Sequence, residues 1–166
     1  RNCNGVSVGT NHPFSYSSIS TINIGNDVEK IPENFLYDMD SITTINFSNN
    51  ITHIGKKAFA YYDGFTTLNL PDSITHIGEE AFLECDNLSS ITLTNNLTYI
   101  GIGAFKGCGS LNSITIPNNV TRIDDEAFED CINLNSVDFL TNNLTYIGDG
   151  AFKNCTSLNT FVVPNS

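Results

Sequence analysis

Leu97–Ile116 reads LTYIGIGAFKGCGSLNSITI, and this stretch decides the fold. Shifted by 23 residues in either direction, it meets the same apolar skeleton. Ile100, the isoleucine ahead of a glycine, has counterparts at Val8, Ile31, Ile54, Ile77, Ile123 and Ile147, in steps of 23 residues with a last step of 24. A fixed period of this length marks a solenoid, in which each coil buries its apolar face only against its neighbours.

Working outward, each coil repeats four features. Apolar residues two apart (Ile45/Phe47, Leu68/Leu70, Ile91/Leu93, Ile114/Ile116, Val137/Phe139, Phe161/Val163) with polar residues between them predict a short strand with one buried face. A corner rich in Pro, Asn and Asp follows, as in Pro71-Asp72 and Pro117-Asn118-Asn119, where asparagine suits a tight turn and can pair with its like along a stack. The extra residue of the 24-residue step falls at the corner around Leu140–Asn142. Pairs three apart come next (Val28/Ile31, Ile51/Ile54, Ile74/Ile77, Leu97/Ile100, Val120/Ile123, Leu144/Ile147), and this spacing fits an extended piece or a tight turn equally. The column after them holds Gly55, Gly78, Gly101 and Gly148, but also Pro32 and Asp124. Positive φ is therefore not required there in every coil. With acids just behind it, this column predicts the entry to a short helical turn carrying Ala-Phe, such as Ala104-Phe105, although Lys56-Lys57 breaks the acidic trend.

The expected architecture is an α/β repeat: a β-rich solenoid of about seven coils, with one parallel inner strand per coil and short helical turns on the outer wall. Residues 1–166 form a single array, with 1–25 as a degenerate first coil and 164–166 as the truncated start of another. The chain opens on Arg1 and shows no signal peptide, which reads as a processed or excised piece. With Phe161/Val163 uncovered, the last coil is expected to be partly open and to favour end-to-end self-association.

The composite I-G-x-x-A-F-x-x-C-x-x-L-x-x-I-x-I-P resembles the BspA-like class of leucine-rich repeats, over nearly the whole chain. The resemblance implies a right-handed solenoid without catalytic or cofactor chemistry. It further implies a role at the cell surface or outside the cell, in adhesion or host interaction through a protein ligand such as a matrix protein. A structural spacer or a carbohydrate-binding surface module is the alternative.

Charge narrows the partners. Seven Lys and Arg against 18 Asp and Glu give a net charge of −11, which repels nucleic-acid backbones and anionic membranes. No apolar run reaches membrane-spanning length. No nucleophile, base and orienting residue converge, so the chain reads as non-enzymatic.

Thr44, Asn46, Thr67, Asn69, Ser90, Thr92, Ser113, Thr115, Ser136 and Asp138 stand on the outward side of the inner strands and form the candidate binding face. That face carries one charge, on Asp138. Cys85, Cys108, Cys131 and Cys155 share a column with Met39 and Tyr62, which reads as a buried thiol ladder and not as disulfides or zinc ligands. Cys3 fits no column. His53 and His76 share a column with Lys30, Tyr99, Arg122 and Tyr146 and read as long exposed side chains, with no metal expected. Asp124, Asp125, Glu126, Glu129 and Asp130 read as a solvated face and not a Ca²⁺ loop. Asn46, Asn50, Asn87, Asn96, Asn119, Asn143 and Asn154 each begin an N-x-[ST] sequon, a glycosylation acceptor in a secreted eukaryotic protein; most fall at recurrent repeat positions, which reads equally as multiplied turn chemistry.

Overall fold

A computed structural model of the chain describes residues 19–39, 41–140 and 143–162. They form a parallel β-solenoid of about five turns. Most of the degenerate first coil, including Cys3, lies outside the described residues. So do the insertion at 141–142, Val163 and the truncated coil start at 164–166. The described turns number fewer than the seven coils expected.

Each coil carries two strands, not one. The first column contains β1 (Thr21–Asn23), β3 (Thr44–Asn46), β5 (Thr67–Asn69), β7 (Ser90–Thr92), β9 (Ser113–Ile116) and β11 (Ser136–Phe139). The second contains β2 (Lys30–Ile31), β4 (His53–Ile54), β6 (His76–Ile77), β8 (Tyr99–Ile100), β10 (Arg122–Ile123) and β12 (Tyr146–Ile147). The pairs three apart are thus extended. Their six strands make one continuous parallel sheet, in register isoleucine on isoleucine. The first column hydrogen-bonds as the separate pairs β1–β3, β5–β7 and β9–β11.

The expected helical turns are absent among the described residues, and backbone geometry supplies the reason. Two positions in each wall segment have left-handed φ: Lys57 and Tyr61 in one coil, Glu80 and Glu84 in the next, then Gly103 and Gly107, Glu126 and Asp130. A left-handed residue cannot continue a right-handed helical turn. The freed N–H groups point to the following coil instead. Lys57, Phe59 and Tyr61 donate to the carbonyls of Glu79, Ala81 and Leu83 at 2.9, 2.8 and 2.7 Å. Residues between them close tight turns within the coil, as Ala58 N–H does on Gly55 C=O at 3.2 Å. Strand bonds run the other way: Thr75 N–H donates back to Thr52 C=O at 2.9 Å. Each coil is therefore fastened in both directions, and this offsets the cost of left-handed backbone at bulky residues, about 1–2 kcal/mol each.

The glycines after the isoleucines have another cause. A Cβ on Gly55 would lie 2.6 Å from Ile31 O, and one on Gly101 would lie 2.8 Å from the Gly78 carbonyl carbon. Glycine there lets successive backbones approach closely.

The core fills the space between the two columns and the wall. Phe59, Phe82, Phe105, Phe128 and Phe152 stack in one file, with centroids 5.1–5.2 Å apart and planes within 12° of parallel. The first four are fully buried, and each contributes about 1.5–3 kcal/mol from apolar burial. Buried alanines such as Ala81 and Ala104 let the wall close over the rings. The thiols of Cys85, Cys108, Cys131 and Cys155 are free, and each donates to the phenylalanine carbonyl of the preceding coil at 3.0–3.1 Å. The expected thiol ladder is present. At the C-terminal end Phe152 is only half-buried, and Phe161 and Val162 are exposed.

Candidate binding face

Alternation along each first-column strand sets the face. In β5 and β7, Leu68 and Ile91 turn into the core, while Thr67, Asn69, Ser90 and Thr92 stand exposed. Parallel pairing at a constant offset aligns them: Thr67 lies beside Ser90, Asn69 beside Thr92, Ser113 beside Ser136, Thr115 beside Asp138. Thr44 and Asn46 hold the same repeat positions 23 residues earlier, in register with Thr21 and Asn23. Nine of the ten predicted residues are exposed, and Ser136 is half-buried. Ser136 and Asp138 border a groove of about 310 Å³, whose other walls are Val137, Phe139, Thr160 and Val162.

The hydrogen-bonding groups of this face are largely unengaged. Of the ten residues, Asn46 has a side-chain hydrogen bond among the described residues, its amide donating to Asn23 Oδ1 at 2.7 Å. The corner asparagines behave differently. Asn50, Asn96 and Asn119 donate to backbone carbonyls of the preceding coil at 2.8, 2.8 and 2.7 Å, so most of the ladder is amide to backbone and not amide to amide. Threonines of the same sequons (Thr52, Thr98, Thr121) also donate to the preceding coil, at 3.1, 3.0 and 3.3 Å. In these coils N-x-T is a structural clamp.

Charge sits elsewhere and is paired. Lys56 and Lys57, which broke the acidic trend, bind Glu79 and Glu80 of the next coil at 2.8 and 3.0 Å. Lys106 reaches Glu126 and Glu129, both at 2.6 Å, and Lys153 also meets Glu129. Hydrogen bonds from Lys106 and Lys153 hold the Glu129 carboxyl at about 2, well below the usual carboxylate range. Asp124 accepts from Tyr99 Oη at 2.5 Å and pairs with Arg122 Nε at 2.5 Å. Burial, followed by that bond to Asp124, pushes the Tyr99 hydroxyl up to about 12. Asp124 and Glu129 are buried, so the acidic cluster is a clamped wall and not the solvated face expected from sequence. Burial likewise pushes the Cys155 thiol up to about 11 and raises Cys108 and Cys131, which keeps all three protonated.

The second column is what sequence reasoning missed. His53 and His76 stack at 4.5 Å and 6°, His76 leans on Tyr99 at 5.9 Å, and the Arg122 guanidinium lies 4.0 Å from the Tyr146 ring centroid. The available signal was a Thr-x-Ile triplet in five of the six coils, THI, THI, TYI, TRI and TYI, whose β-branched ends favour a strand.

The model of the BspA type leucine rich repeat region matches residues 4–75 and 53–166, in six copies. The chain belongs to the BspA-type leucine-rich repeat family. A leucine-rich repeat protein from Bacteroides ovatus ATCC 8483 is similar at 33% identity and TM-score 0.78, over 86% of this chain and 37% of that one. The T. pallidum leucine rich repeat protein shares the fold at 22% identity and TM-score 0.73, over 85% of this chain and 78% of its own. This chain thus spans 37% of the Bacteroides ovatus protein. No curated protein matches. BspA-type repeats are in general non-enzymatic protein-interaction or surface modules, and no helix among the described residues is long and apolar enough to cross a membrane.

Proposed function

We propose that this array is an adhesion or host-interaction module at the cell surface, and that it takes a protein ligand on the first-column face. The observation that carries this reading is the row of exposed hydroxyl and amide groups from Thr44 to Asp138, nearly all without side-chain partners among the described residues. A solvated sheet needs only some polar groups. This one keeps its groups free, whereas the corner asparagines and the threonines ahead of the second-column strands tie theirs to the preceding coil. A neutral face of this kind holds a ligand by hydrogen bonds and shape, so affinity should respond weakly to salt.

The test is surface binding of the chain to a panel of purified extracellular-matrix proteins, at low and high ionic strength. The double change Ser90→Lys, Thr115→Lys is the probe of the face. Loss of binding on the double change, with weak salt dependence in the parent, supports the proposal. Steep salt dependence with no loss moves the site to the acidic wall and overturns it.

A further inference from the structure

The first column is interrupted between its second and third strands. β3 pairs with β1, and β5 with β7, but β3 and β5 do not pair. No Cα of Thr44–Asn46 lies within 8 Å of a Cα of Thr67–Asn69, whereas paired strands lie about 4.8 Å apart. Other bonds of this junction are missing too. Thr43, Ser89, Asn112 and Asn135 each donate a backbone N–H to the coil before, at 2.9–3.3 Å, but their counterpart Thr66 makes no such bond to Thr43. Asn46 reaches Asn23 through its side chain, and Asn69 does not reach Asn46.

Two large side chains hold the coils apart here. Tyr62 stands in the thiol column and Phe65 in the leucine column, both buried, with ring centroids 4.7 Å apart. Tyr62 Oη donates to Ile42 C=O ahead of β3, and Ser73 Oγ donates to Ile51 C=O behind it at 2.6 Å. The gap is therefore a slot closed at both ends. Its walls are backbone. In a parallel ladder one residue turns its N–H and C=O to one edge, and the next residue turns its own to the other. Thr44 N–H bonds to Ser20 C=O and Ile24 N–H to Asn46 C=O, so Ile45 faces the slot. Leu70 N–H bonds to Thr92 C=O, so Thr67 and Asn69 face it from the far side. Ile45 and Phe47 are half-buried, although Leu68, Leu70, Ile91, Leu93, Ile114 and Ile116 in the same positions are buried. Ile22, Ile24, Val137 and Phe139 are half-buried as well, but they belong to the outermost strands of the column.

We propose, resting on the reading of the first column as the ligand face, that this slot takes one extended peptide segment of the protein ligand between β3 and β5. Main-chain bonds to an unpaired edge are a general way of holding an extended peptide, and here two such edges face each other. One intervening strand needs about 9.6 Å between its neighbours, twice the ordinary spacing. The guest would continue two ladders already present, β1–β3 and β5–β7, and join them into one sheet. Its alternate side chains would be apolar, resting on Ile45 and Phe47. The others would be polar and stand outward in line with Thr44, Asn46, Thr67 and Asn69. Neither flanking strand carries a charge, so an uncharged segment fits.

The probe is a synthetic peptide of the chain's own Leu88–Asn95, LSSITLTN, which has this alternation. It is titrated into the whole chain and followed by amide NMR. In the free protein the N–H groups of Ile45, Thr67 and Asn69 should exchange at least about tenfold faster than those of Leu68 and Thr92, which lie in the β5–β7 pair. One equivalent of peptide should bind and slow those three amides. Methylating alternate backbone nitrogens of the peptide should weaken binding at least about tenfold, because donors to the edges are lost. The double change Tyr62→Cys, Phe65→Leu restores the residues of the next coil. It should let β3 and β5 pair, slow the three amides without peptide, and abolish binding. No binding by the peptide, binding indifferent to methylation, or slow exchange of the three amides in the free protein overturns the slot. A matrix protein lost on Ser90→Lys, Thr115→Lys but kept by the Tyr62→Cys, Phe65→Leu variant also overturns it while leaving the face intact. Peptide bound in the slot with no matrix protein captured upholds the slot and refutes the matrix-adhesion reading.

Discussion

In the second column six strands pair without a break from Lys30–Ile31 to Tyr146–Ile147, whereas the first column divides into three separate pairs. Side chains follow the same division. Along the second column rings stack on rings and threonine hydroxyls bond to the coil before. Along the first, Ser89 ahead of β7 bonds to Thr66 O of the coil before at 2.9 Å in the same way, but the hydroxyls within the strands stand exposed without side-chain bonds between coils among the described residues. One 23-residue repeat thus makes a spine whose threonine hydroxyls bond between coils and a face whose strand hydroxyls do not. On the proposed reading, the first column supplies the free groups a recognition surface needs and the second supplies the stiff support.

The largest expected effect breaks the support. Phe105→Asp puts an unpaired charge between Phe82 and Phe128 and should cost more than the about 3–5 kcal/mol of a buried Phe→Ala change, unfolding several coils together. Ser113→Asp, on the exposed face, should stay within about 0.5 kcal/mol. Denaturant melts of the two variants check this, and equal midpoints would refute the division into inside and outside.

Acid sharpens the comparison next. The Glu129 pKa is depressed in the folded state, so its contribution to stability is full above about pH 4.5 and is lost as pH falls through about 2. Glu129→Gln should lower stability at neutral pH and flatten the decline over that window. Asp138→Asn, on the free face, should leave the acid limb of the curve as it was.

A smaller effect tests the wall. Glu84 is exposed at φ 50, in the column where the next coil has Gly107. Glu84→Gly should leave the melting temperature unchanged or raise it, by up to about 1 kcal/mol of stability, because the left-handed strain disappears. In a helical turn the same change would cost about 1 kcal/mol. The smallest readout is chemical. Cys85, Cys108, Cys131 and Cys155 should react slowly with a thiol reagent in the native state and rapidly in denaturant, and a bridge found among them by mass spectrometry would contradict the ladder.

The repeat frame, the first-column strands, the thiol ladder and the ten outward residues were all legible from the 23-residue period, because burial alternates strictly along a strand. Three things were not. The second strand is only two residues long, and at that length strand and turn share one apolar spacing, so His53-Ile54 and its counterparts stayed ambiguous. The wall looked helical because its acids and its Ala-Phe pair fit a helical entry. Left-handed backbone at Lys57, Tyr61, Glu80 and Glu84 leaves no mark in residue types that seldom adopt it. Gly103, Gly107, Gly150, Asn34 and Asn154 in the same two columns were the available clue, overshadowed by the more regular glycines after isoleucine. The buried carboxylates of Asp124 and Glu129 were also hidden, since Tyr99 meets Asp124, and Lys106 and Lys153 meet Glu129, only once the coils stack.

The claim that the first-column face receives the ligand is tested most directly by amide hydrogen exchange, on the chain alone and bound to whichever matrix protein it captures. Protection added on binding should fall on Thr44–Asn46, Thr67–Asn69, Ser90–Thr92, Ser113–Ile116 and Ser136–Phe139, with the second column unchanged. New protection along His53–Ile54, His76–Ile77 and Tyr99–Ile100, with none on the first column, would contradict it.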